Sequence, residues 1–82
     1  MQTAQNTAAS LHEFRSRSRL QVVDVVGLPI EVRRLACMGI YAGVVLEVTK
    51  GGITSIVDLE GGGRVCIRPS ATLEILCAEI DD

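Results

Sequence analysis

Glycine punctuation constrains this chain more than any other feature. Gly27, Gly39, Gly43, the Gly51-Gly52 pair and the Gly61-Gly62-Gly63 run cut residues 20–80 into short segments, the longest of which, 64–80, is itself broken by Pro69. Glycine is the residue that ends helices and makes tight turns, because it alone adopts left-handed backbone angles freely. Such a chain builds short strands joined by turns, with room for one short helix. No stretch approaches the roughly 20 apolar residues that a bilayer-spanning helix requires.

The pattern between the glycines gives the elements. Leu20, Val22, Val23, Val25 and Val26 form a β-branched run that reads as a first strand ending at Gly27. The period then changes. Pro29 suits the first turn of a helix, where no backbone N–H is needed, and Leu28, Val32, Leu35 and Ala36 recur at helical spacing. A helix is predicted over 29–38, with Gly39 as its stop. Val44, Leu46 and Val48 alternate as a second strand, and Gly51-Gly52 supply the positive backbone angles of a tight hairpin. Residues 53–59 return with Ile53, Ser55, Val57 and Leu59 on one face. Residues 60–63 form the next turn, and Val65 and Ile67 mark a fourth strand closed by Pro69, which cannot continue a ladder. Ser70 is placed to cap a single helical turn through Glu74, and Leu76, Ala78 and Ile80 alternate as a last strand. The class is mainly β with one or two short helices. Five short strands that must hide their apolar faces are expected to curl into a small barrel.

Residues 1–19 are rich in Ser, Gln, Thr, Ala and Arg, and their apolar signal is limited to Leu11 and Phe14. They read as a flexible polar tail, with at most one helical turn around Leu11 to Phe14, ahead of a barrel domain at 20–82. Arg15, Arg17 and Arg19 alternate there, in position to meet an acidic partner or lipid headgroups. Against Glu13 they make the tail basic, whereas residues 20–82 hold nine acids and five bases, so the domain proper is acidic. That balance argues against a duplex nucleic-acid reader, which needs a basic face. With one Phe, one Tyr and no Trp, aromatic stacking on bases is disfavoured too. Cys37, Cys66 and Cys77 are odd in number and widely spaced, which points to reduced thiols in a cytoplasmic setting. The opening residues lack the apolar core of a signal peptide.

Catalysis is not expected. The one histidine, His12, falls in the expected tail, and no acid, base and nucleophile recur in a recognisable constellation. The Gly61-Gly62-Gly63-Arg64 run lacks the lysine and hydroxyl ending of a phosphate loop, so it reads as a plain turn. The three cysteines with His12 show none of the paired short spacings of a metal site, and no bound cofactor is expected.

Several segments resemble the FeoA family of SH3-like barrels. They are Arg34-Leu35, Met38-Gly39-Ile40 and Gly43 at the helix exit, Val44 to Val48, the Gly51-Gly52 hairpin, Val65 to Arg68, and Ala71 followed by Ile75. Ala42 and Ile53 stand where that family commonly has prolines. The resemblance implies a small SH3-like five-stranded barrel and a non-catalytic accessory role in ferrous-iron uptake, in which the protein binds and modulates the cytosolic part of a FeoB-type transporter. It also implies a cytoplasmic location, peripheral at the inner membrane through that partner. The alternative it leaves open is a free-standing interaction module related to the C-terminal domain of iron-dependent repressors.

The candidate partner-binding residues are Met38, Ile40 and Tyr41 at the helix exit, and Lys50, Gly51 and Gly52 at the hairpin. Met38 and Ile40 either dock a partner or close the barrel, and Tyr41 is the residue that separates these two roles. Unpaired strand edges would also let copies of the chain associate.

Overall fold

A computed structural model describes residues 8–80. The strands are β1 (Ala9–Ser10), β2 (Arg19–Val26), β3 (Val45–Lys50), β4 (Ser55–Leu59), β5 (Arg64–Ile67) and β6 (Glu74–Glu79), with one helix, α1 (Pro29–Cys37), between β2 and β3. All pairings are antiparallel in one six-stranded sheet of order β1-β6-β2-β3-β4-β5. The two outer strands, β1 and β5, are not paired with each other, so the sheet is open. Among the described residues no helix is long and apolar enough to cross a membrane.

In β2 to β5 the alternation read in the sequence is largely the alternation of burial. β6 is corrected: Ile75 and Cys77 face the core, and the expected set Leu76, Ala78 and Ile80 lies on the other face. Leu20 and Val22 of β2, Leu46 and Val48 of β3, Val57 of β4, Ile67 of β5 and Ile75 of β6 turn into one aliphatic core. β2 carries a bulge, because its register with β6 shifts between Val22 and Asp24. The extra residue changes which side chains point inward. After it Val25 packs on the core, while Val23 and Val26 remain half exposed.

The expected tail boundary at residue 19 is corrected by the structure. Residues 1–7 lie outside the described residues, but the segment from 8 onward is folded against the sheet. Ala9 and Ser10 pair with Cys77 and Leu76, and a 3-10 turn over Leu11–Glu13 buries Leu11 completely. Leu11 is the buried anchor of this stretch, and Phe14 packs against the core as well. Removing Leu11 from water contributes about 1.5–3 kcal/mol toward the cost of ordering the segment, to which Phe14 packing and sheet hydrogen bonds add.

Other expectations change in detail. α1 buries only Leu35 fully; Leu28 precedes the helix in an extended conformation and is half exposed, and Ala36 is exposed as well. The helical turn expected at residues 70–74 does not form. The Ser70 hydroxyl accepts the Thr72 N–H in a bend, and Glu74 is already paired with Val26, so ladder bonds to β2 take the residues a helix would need. The β3–β4 connection is longer than a two-residue hairpin. It runs over residues 51–54 with positive φ at Gly52 alone, and Ile53 is 77% exposed in it.

Candidate functional site

The helix exit is built by backbone geometry. Cys37 ends α1 and Met38 caps it, while Gly39, at φ 97°, reverses the chain. The Gly39 N–H donates to the Ala36 carbonyl at 3.0 Å, and the Ile40 N–H donates to the Leu35 carbonyl at 2.8 Å. This pair of bonds is the Schellman motif, and its usual apolar contact is supplied by Leu35 and Ile40, both core residues. The Val44 N–H donates to the Tyr41 carbonyl at 3.1 Å to close the following turn. Mutual bonds then tie the turn to β2: the Gly43 N–H donates to the Val22 carbonyl and the Val22 N–H to the Val44 carbonyl, each at 2.8 Å.

Locking Ile40 inward forces its neighbours outward. Ile40 is fully buried, whereas Met38 is 47% and Tyr41 55% exposed. Ile40 therefore closes the core and presents no surface, which removes it from the expected docking set and separates it from Met38. Met38 and Tyr41 line an open groove of about 500 Å³ together with Cys37, Leu59 at the end of β4, and Glu60 and Gly62 of the β4–β5 connection.

Among the charged residues of β4, β5 and their connection, Glu60 lines this groove, whereas Asp58 and Arg64 do not. Glu60 is held by Arg19 at 2.9 Å, with its amide bonded to the Val45 carbonyl. Asp58 accepts from Arg64 at 2.7 Å, and that hydrogen bond holds its carboxyl below the ordinary value of 3.8.

No protein-family model, curated protein or solved structure matches this chain.

The second candidate surface, Lys50 to Gly52, lies at the other end of β3, about 20 Å away by strand rise. It is partly occupied by the chain itself. A Cβ on Gly51 would sit 2.5 Å from the Phe14 carbonyl oxygen, and the Gly51 N–H donates to the Ser16 hydroxyl. Gly51 is there to allow that approach and not to supply a positive φ. The Gly52 carbonyl faces the His12 ring at 3.3 Å, and the same His12 Nδ1 lies 3.0 Å from the hydroxyl of Ser55, which is fully buried. Lys50 and Gly52 remain exposed.

His12 is thus a structural clasp between the N-terminal segment and the β3–β4 connection, a role that a lone histidine in a polar stretch does not reveal. The cysteines fall on three elements: Cys37 and Cys66 are exposed, and Cys77 is buried in β6, where loss of water pushes its thiol up to about 11. Among the described residues no three His, Cys, Asp or Glu side chains converge as metal ligands would.

Proposed function

We propose that this protein is a non-catalytic accessory module of ferrous-iron import that binds and modulates the cytosolic part of a FeoB-type transporter. The face it uses is the groove mouth at Met38 and Tyr41. The observation that carries the reading is the separation within four residues: Ile40 is sealed in the core while Met38 and Tyr41 are held outward by the same capped turn. Large flexible and aromatic side chains fixed on a rigid turn give contact area at low entropic cost, which is the property of interface anchors.

The strand order supports reading the sheet as an SH3-like unit. β2 to β5 form a meander, and β6 returns to lie beside β2, so the five longer strands follow the connectivity of such barrels. The segments quoted for the FeoA resemblance then occupy the helix exit, the connection after β3, and β5. A module of this kind works by changing the partner's conformational balance, with no bond made or broken here.

The test is capture of the detergent-solubilised FeoB-type transporter from the same organism, in each nucleotide state. Wild type should retain it, and Tyr41→Ala should weaken retention by about tenfold or more, as for an interface anchor. Capture unchanged by Tyr41→Ala and Met38→Ala removes this face. No capture in any nucleotide state removes the partner, and recovery of a transcription regulator instead would favour the repressor-like module.

A further inference from the structure

β5 is an outer strand, and hydrogen-bond parity shows which of its backbone groups face outward. The Leu59 N–H donates to the Gly63 carbonyl at 2.9 Å. In an antiparallel pair, bonded positions recur every second residue, so Val65 and Ile67, opposite Val57 and Ser55, turn their amides and carbonyls toward β4. The amides and carbonyls of Arg64, Cys66 and Arg68 consequently point away from the sheet. Among the described residues no turn, loop or side chain covers these groups with a hydrogen bond.

The side chains of these three residues are exposed as well. Arg64 is bonded to Asp58, and Arg68, just beyond the strand and before Pro69, has no ion pair among the described residues.

Charge decides what can lie along this edge. Two copies of β5 pairing through all three outward residues would set Cys66 opposite Cys66 and Arg64 opposite Arg68 on both sides. Like charges directly across a ladder are destabilising, so pairing with its own copy in this register is disfavoured, although Asp58 offsets part of the Arg64 charge. The same arginines favour the opposite pattern in another chain.

We propose that the β5 edge accepts an extended acidic segment of a partner protein as an added antiparallel strand. Its carboxylates, four residues apart, would lie opposite Arg64 and Arg68, with an uncharged residue opposite Cys66. Backbone bonds would supply the affinity and the two arginines the selection. This edge stands apart from the Met38 and Tyr41 face, and the inference does not rest on the function proposed above.

The probe is a labelled, end-capped peptide of about nine residues that alternates valine and threonine and carries two glutamates four apart. Its binding to the full chain is followed by fluorescence anisotropy at low salt, and amide NMR shifts report the location. Saturable binding with shifts confined to residues 64–68 is expected, and a peptide with lysines in place of the glutamates should bind about tenfold more weakly. Arg68→Glu should weaken the acidic peptide by a similar factor, and Cys66→Ala should leave it unchanged. Cys66→Pro, which removes an outward amide and no β4 ladder bond, should abolish binding. If Cys66→Pro fails to fold, the Arg68→Glu and lysine-peptide comparisons decide. The proposal is overturned by absence of saturable binding, by equal binding of the two peptides, by shifts located elsewhere, or by concentration-dependent self-association of the wild type through residues 64–68.

Discussion

The Ile40 amide donates to the Leu35 carbonyl across 2.8 Å, and both side chains enter the same core, so one backbone bond fixes where α1 ends and which neighbours stay outside. Gly39 makes that geometry possible. Its φ is 97°, and a Cβ there would lie 3.0 Å from Leu59 Cδ1. Gly39→Ala should therefore lower unfolding stability by about 1–2 kcal/mol, read as a shift in the urea midpoint at unchanged m value. An unchanged midpoint would mean that the turn does not need this conformation.

Leu11 makes a second prediction. Because its side chain is fully buried, Leu11→Ala should cost about 2–4 kcal/mol by urea unfolding, as expected for a core leucine. Substitution in a merely solvated tail would leave stability within about 0.5 kcal/mol.

Thiol chemistry should separate the cysteines. An aromatic disulfide reagent at neutral pH should modify Cys37 and Cys66 quickly, and Cys77 only after denaturant is added. A third fast thiol would show that β6 opens readily.

Cys77 also gives stability a pH dependence. Burial raises its pKa from the ordinary 9.0 to about 11, so the folded state holds this proton more tightly than the unfolded chain. The associated stability is complete below pH 9 and is lost as pH rises from 9 to about 11, by up to about 2–3 kcal/mol. Cys77→Ala should remove that alkaline loss; a wild-type profile flat from pH 8 to 11 would contradict it.

Asp58 works in the opposite direction. Its carboxyl titrates below 3.8 because Arg64 donates to it, so the contribution of this pair is present above that pH and fades as acid protonates the carboxylate. Carboxyl NMR should find the depressed midpoint in the wild type and its return toward 3.8 in Arg64→Gln.

Most strands were legible because alternation and burial are the same signal, but in β6 both faces are apolar, and the buried set is Ile75 and Cys77 instead of Leu76, Ala78 and Ile80. Leu46, Val48 and Val57 face the core as their spacing indicates, and the expected helix over 29–38 is observed over Pro29–Cys37. What was not legible depended on contacts distant in sequence. Leu11 is one apolar residue in a polar stretch, and nothing nearby indicates that Cys77 and Leu76 pair beside it. The role of Gly51 depends on Phe14, 37 positions earlier, and His12 finds Ser55 across 43. At the candidate site, Met38, Ile40 and Tyr41 have similar apolar character, so only the capped turn could separate the buried residue from the exposed pair. Residues 70–74 carried a sound local helix signal that pairing with β2 overrode.

The place of β6 has a consequence for how the molecule is made. Among the described residues it is the final strand in chain order, yet it lies inside the sheet, between β1 and β2, and contributes Ile75 and Cys77 to the core. On the ribosome the strands β1 to β5 emerge without the one that joins β1 to the rest. A nascent chain stopped before Glu74 exposes two unpaired inner edges, and the sheet is completed only once residues 74–79 have emerged.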